Sequence, residues 1–121
     1  MELTRTNLTK SPFDNPLKEL LRAMEQQNDV LARARNRYLS KEAERKHFEA
    51  VLTRKAEGKS IAEKRVNAEA MPEWFEFHKE LARLEAIFEF QKLKWEILDK
   101  EYQATYLGLK MDHSTMKRFS E

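Results

Sequence analysis

An apolar residue returns every seven positions from Trp74 to Leu109: Trp74, Leu81, Phe88, Trp95, Tyr102 and Leu109. Phe77, Leu84 and Leu98 hold the companion position three residues on, with Gln91 and Thr105 as its polar interruptions. Apolar residues at both positions of a heptad make a seam along one side of a helix, which a strand's period of two cannot reproduce. The pattern predicts one long helix over 72–109, roughly 57 Å at about 1.5 Å per residue.

A second stripe runs along the same segment: Ala86, Phe90, Leu93, Ile97, Ala104 and Leu107. At about 100° per residue it lies on nearly the opposite side from the seam. A helix apolar on two sides needs two partners. An earlier helix supplies one. A chain of 121 residues has little else to offer, so the expected second partner is another subunit. A three-helix bundle that covers the long helix on both sides is the plainer alternative. The residues expected at a homo-oligomer interface are Trp74, Phe77, Leu81, Leu84, Phe88, Phe90, Trp95, Ile97, Leu98 and Tyr102.

The rest of the chain also reads as helix. It holds 2 Gly and 3 Pro, with charged residues at 36%. Few breakers and many charges favour long helices with exposed faces. The expected fold class is all-α: a helical bundle or hairpin whose long C-terminal helix self-associates. Asp14-Asn15-Pro16 reads as a helix start, with proline near the first helical position. Leu17, Leu20, Leu21, Met24, Asn28 and Leu31 then share one face at three- and four-residue spacing. Beyond them the stripe thins to Tyr38, Phe48, Val51 and Leu52, and a break near Ser40 stays open. Gly58 is free to take positive φ and stops the segment. Ser60-Ile61-Ala62-Glu63 has the form of a capping box that starts a short helix. Pro72 ends that helix by pushing Met71 out of the α region. The expected organisation is a flexible arm over 1–15 and one helical domain over 16–121. Within that domain 16–57, 60–70 and 72–109 are helical, and 110–121 is a tail.

Net charge is +2, but it is unevenly spread. Arg33 to Arg65 holds 11 Lys and Arg against 5 Asp and Glu. The segments on either side are net acidic. A basic middle between acidic flanks predicts a local anion-binding surface. There is no cysteine, which excludes disulfides and thiolate metal sites and suits a reducing cytoplasm. No run of about 18 apolar residues is present to span a membrane, and Met1 to Thr6 does not begin a signal peptide. The expected location is cytoplasmic.

The chemistry-bearing patterns are few. Arg33, Arg37, Lys41 and Arg45 follow one another at four-residue steps, with Lys46, Arg54, Lys55, Lys64 and Arg65 nearby. Tyr38, His47 and Phe48 interleave. Cations alternating with rings suit single-stranded nucleic acid, where phosphates meet the charges and bases stack. The competing reading is a solvated face on which Glu42, Glu44 and Glu49 pair locally with the cations. Gly58-Lys59-Ser60 resembles the end of a P-loop, but Thr53 stands where the first glycine is required. Glu44-Arg45-Lys46-His47 has the Glu-x-x-His spacing of a helical di-iron site, yet neither His78 nor His113 supplies the second copy. No metal and no cofactor are expected. No nucleophile, base and orienting group fall into a motif, so the expectation is a binding or assembly protein and not an enzyme.

The layout from Tyr38 to Glu121 resembles the UvsY-type recombination mediators of T4-like phages. The likeness runs through Arg45-Lys46-His47-Phe48, the break at Gly58-Lys59-Ser60, Trp95-Glu96-Ile97-Leu98 and the ending Met116-Lys117-Arg118-Phe119. It is one of pattern, size and charge order, and the helix over 16–31 has no counterpart in it. The resemblance implies binding of single-stranded DNA by a ring-like oligomer that helps load a recombinase onto DNA coated by single-strand-binding protein. Arg33, Arg37, Lys41, Arg45, Lys46, Arg54, Lys55, Lys64 and Arg65 would then contact phosphates. The rival expectation is a phage protein-interaction module, an assembly chaperone or an inhibitor of a host complex, that binds no nucleic acid.

Overall fold

The computed structural model describes residues 14–120, with side chains from 16 to 114. The fold is all-α. Helix α1 is Asp14–Lys55, α2 is Ile61–Glu69 and α3 is Pro72–Ser120. The first segment is therefore one helix with no break at Ser40, and it ends at Lys55, two residues short of the expected 57. Alanine, glutamate, lysine and arginine propensity carries it through the stretch where the apolar stripe thins. It starts at Asp14, two residues ahead of Pro16, and most of the expected arm lies outside the described residues.

The expected tail over 110–121 is corrected: α3 runs 49 residues to Ser120. Gly108 does not end it, because an isolated glycine inside a strongly helical run costs only about 1 kcal/mol relative to alanine. The side chains of Met116 and Phe119 lie outside the described residues.

The turns follow local chemistry. Ala56 donates its N–H to the Leu52 carbonyl at 3.0 Å, and α1 then gives way to Gly58 at φ 157°. A Cβ at Gly58 would stand 2.9 Å from the Lys64 backbone nitrogen, so glycine is required both for the backbone angle and for the approach of α2. Ser60 caps α2 by accepting the Glu63 N–H at 3.1 Å. The Glu63 carboxylate reaches back to the Lys59 N–H at 3.2 Å, one residue earlier than the expected box. Asn67 donates its side-chain amide to the Glu57 carbonyl and ties α2 to the turn. The Met71 carbonyl accepts from Trp74 N–H at 3.1 Å and so opens α3.

The chain divides into two compact units, 31–91 and the two terminal stretches 1–30 with 92–121. In the 31–91 unit, α2 and parts of α1 and α3 share a small core of Ala34, Leu52, Ala68, Phe77 and Leu81. Phe48 stacks on Phe77 with ring centroids 4.2 Å apart, and Tyr38 stacks on Phe88 at 5.9 Å. In the other unit the half-buried positions include Leu17, Leu20, Ala23, Met24, Gln27 and Val30 on α1, and Trp95, Leu98, Tyr102 and Leu109 on α3. Leu21 and Asn28, expected on the packed face, are exposed. No large side chain among the described residues is fully buried.

Most of the residues expected at the oligomer interface also pack within the chain. Trp74, Phe77, Leu81, Leu84, Phe88, Trp95, Leu98 and Tyr102 are all buried or half-buried inside the chain. The physical reason is the length of α1. An unbroken helix of 42 residues supplies cover for the seam, so Phe77 and Leu81 are core and the other six side chains are half-buried. Phe90 and Ile97, from the second stripe, remain exposed.

Candidate nucleic-acid interface

The nine cations expected to contact phosphates divide among separate places. Arg37 and Lys41 line one open cavity of about 650 Å³, where Glu44, Glu80 and Arg83 also stand. Lys46, Arg54, Lys64 and Arg65 line another of about 430 Å³. On α1, Arg37 and Lys46 lie about 180° apart at about 100° per residue. The stripe of four-residue steps and the cations around Lys46 are thus different surfaces.

The second cavity concentrates charge. Lys46, Ala50, Thr53 and Arg54 present one face of α1 at helical spacing, and Ile61, Lys64 and Arg65 come from α2. The Gly58 turn brings these two stretches together. Four cations meet one carboxylate, Glu49. Among the described residues no carboxylate pairs with Lys46, Arg54 or Lys64 within 4.0 Å.

Glu49 is the residue that sequence reasoning missed. Its side chain is 9% exposed, although it sits in a run of charges that reads as a solvated face. Three cationic or titratable groups surround it. Arg45 Nη1 is 3.3 Å away, Arg65 Nη2 3.8 Å and His78 Nε2 4.0 Å. His78 donates its Nδ1–H to the Trp74 carbonyl at 2.8 Å, which aims Nε2 at the carboxylate. A buried charge is tolerated when it is paired and hydrogen-bonded. A signal for it was present: Arg45 follows one turn before Glu49, and Glu42 lies three residues before Arg45.

Several of the expected cations also have partners within the fold. Arg45 donates Nε–H to Glu42 Oε1 at 3.0 Å, and this hydrogen bond, ahead of the charges of Glu42 and Glu49, holds its guanidinium above the ordinary arginine pKa. Arg65 also pairs with Glu69 at 3.2 Å and lies 5.5 Å over the Trp74 ring. Lys41 Nζ sits 4.5 Å from the Phe77 ring centroid, a cation–π placement. Arg33 and Lys55 are exposed and line neither cavity.

The rings expected to stack on bases are corrected. Tyr38 and Phe48 stack on Phe88 and Phe77 inside the fold. Burial, ahead of the neighbouring Glu85, Glu42 and Glu89 charges, pushes the Tyr38 hydroxyl above its ordinary pKa. His47 is exposed at a third cavity with Lys41, Glu44 and Val51. What the basic cavity offers is cations and an exposed Ile61, which suits phosphate contact more than base stacking.

Beside the first cavity, Arg83 holds Glu80 through two bonds, Nε to Oε2 at 2.8 Å and Nη2 to Oε1 at 2.6 Å. Those hydrogen bonds keep the Glu80 carboxyl below the ordinary range. Gly58-Lys59-Ser60 lies between two helices, with no strand among the described residues. No group of three His, Asp or Glu side chains is placed to hold a metal ion among the described residues. No helix there is long and apolar enough to cross a membrane. Comparison with family models, with curated proteins and with solved structures returned no match.

Proposed function

We propose that the protein is a non-enzymatic, single-stranded-DNA-binding accessory protein of the phage recombination-mediator type that works as a homo-oligomer in the cytoplasm. One observation carries the reading: Lys46, Arg54, Lys64 and Arg65 converge on one open cavity, three of them without a carboxylate partner within 4.0 Å among the described residues. Cations held apart from carboxylates are the footprint of phosphate binding. The contact set contracts to these four from the nine of the basic segment. A recombinase and a single-strand-binding protein are the partners that the UvsY-type resemblance implies.

The protein-interaction reading has its own support in exposed apolar side chains on α3, Leu93, Ile97 and Leu107. The two readings part on one experiment, the fluorescence anisotropy of a labelled single-stranded oligonucleotide at low and moderate salt. Binding that weakens as salt rises is the expected result. Absence of binding at low salt overturns the nucleic-acid reading and leaves the protein-interaction one.

A further inference from the structure

In the unit that contains residues 92–121, α3 has two apolar faces. Trp95, Leu98, Tyr102 and Leu109 are half-buried. Leu93, Ile97, Leu107 and Met111 are 54%, 50%, 56% and 62% exposed. With the exposed Ala104 they fall within about 40° of one line at about 100° per residue. Lys100 interrupts that line at its middle. An exposed apolar stripe of this regularity marks an interaction surface.

We propose that this stripe pairs with the same stripe of a second copy, the two α3 helices running antiparallel. The sequence of the stripe is symmetric about position 102. Leu93 and Met111 are equally distant from it, as are Ile97 and Leu107, and Lys100 and Ala104. A two-fold axis at that level sets each large apolar side chain against a large apolar one, the self-complementarity that an isologous interface requires. Lys100 then faces Ala104 of the second copy. Its aliphatic stem lies over the small side chain while the ammonium reaches water.

The parallel alternative fails on the same residue. In a parallel in-register pair every side chain faces its own copy, so Lys100 meets Lys100 inside the apolar strip. Flanking charge matches the antiparallel register on one side of the stripe, whereas on the other side Glu101, about 80° off the stripe, comes opposite its own copy. Glu96 and Lys110 lie on the same flank of the stripe, about 40° apart at about 100° per residue. In an antiparallel pair like flanks meet, which brings Glu96 within about 3 Å, along the axis, of Lys110 of the second copy. Symmetry makes this ion pair twice.

The stripe is about 27 Å long and about 10 Å wide. That footprint is well below the roughly 800 Å² per partner of a standard stable interface, which places the pair among weak, concentration-dependent contacts. This inference rests on the assembly half of the function proposed above and not on its nucleic-acid half.

The experiment uses the full chain without DNA. Sedimentation equilibrium at tens of micromolar is expected to show a dimer, and Leu107→Glu to show a monomer of unchanged helicity, since Leu107 is exposed. Because the chain has no cysteine, Ile97→Cys and Leu107→Cys each report one position. An oxidised mixture of the two variants is expected to cross-link far faster than either alone. Two copies of position 97 stand about 15 Å apart along an antiparallel pair, beyond the roughly 7 Å Cα limit of a disulfide. A monomer at every concentration, a dimer that survives Leu107→Glu, or single variants that link as fast as the mixture would each overturn the proposal. None of these outcomes bears on DNA binding.

Discussion

Replacing Lys46 and Lys64 by glutamine removes two of the four cations around the basic cavity while leaving the α1–α2 turn in place. Neither side chain has a carboxylate partner within 4.0 Å among the described residues, so helicity is expected to stay unchanged. The magnitude follows from counterion release. A protein that neutralises Z phosphates on a single strand shows a salt slope of about −0.7Z. With Lys46, Arg54, Lys64 and Arg65 each meeting one phosphate, the slope is about −2.8, and affinity falls about 50-fold between 50 and 200 mM salt. The double variant leaves two contacts, a slope of about −1.4 and a fall of only about 7-fold over the same range. Fluorescence anisotropy at four or five salt concentrations reads the slope directly. Arg37→Gln serves as the control, because Arg37 lines the other cavity beside Glu44 and Glu80, and its slope is expected to match the wild type. A double variant that keeps the wild-type slope refutes the assignment. So does an Arg37→Gln slope that drops as far.

Three further outcomes test the fold that presents this surface. Phe77→Ala removes a ring that is 7% exposed and stacked on Phe48. It is expected to cost about 3 kcal/mol, the low end for such a truncation, because the thin core collapses around the gap; urea unfolding followed at 222 nm checks this, and a loss under about 1 kcal/mol contradicts it. Gly58→Ala places a Cβ 2.9 Å from the Lys64 backbone nitrogen at φ +157° and is expected to destabilise by about 1–3 kcal/mol, read in the same assay. Arg83→Gln frees Glu80, whose carboxyl the guanidinium holds down. A depressed carboxyl contributes stability that is present above the ordinary value of about 4.3 and is lost as pH falls through the depressed one. The stability difference between wild type and Arg83→Gln is therefore expected to vanish toward acid pH, and the Glu80 titration, followed by NMR, to move up in the variant.

Much of the fold was legible because helices are written locally. The heptad from Trp74 to Leu109, the Gly58 stop, the Ser60 cap and the Pro72 start depend on neighbours within a few positions, and each has its counterpart in the structure. The extension of α3 to Ser120 was missed for a complementary reason. Gly108 is a strong stop only when the residues after it cannot continue a helix, and here they do. The misplacement of Leu21 and Asn28 has the same origin: their spacing was compatible with the packed face, and only the facing helix decides which of two adjacent lines it covers.

The candidate site was less legible. Charge counting located the basic segment but not its partition, since the opposite sides that Arg37 and Lys46 occupy on α1 matter only once α2 has docked on one of them. Tyr38 and Phe48 read as rings open to bases until Phe88 and Phe77 are seen to cover them. Glu49 looked like surface charge because its partners come from three places in the chain: Arg45, Arg65 and His78.

The residues alone determined that this chain is helical, where its helices turn, that its middle is basic and that its last helix is apolar on two sides. These are properties of short stretches, set by backbone propensity, capping and periodicity. Only the tertiary structure decided which apolar side of α3 the chain keeps for itself, and that Lys46, Arg54, Lys64 and Arg65 meet at one cavity. Both depend on which surfaces come into contact when distant segments pack, and no local pattern records that choice.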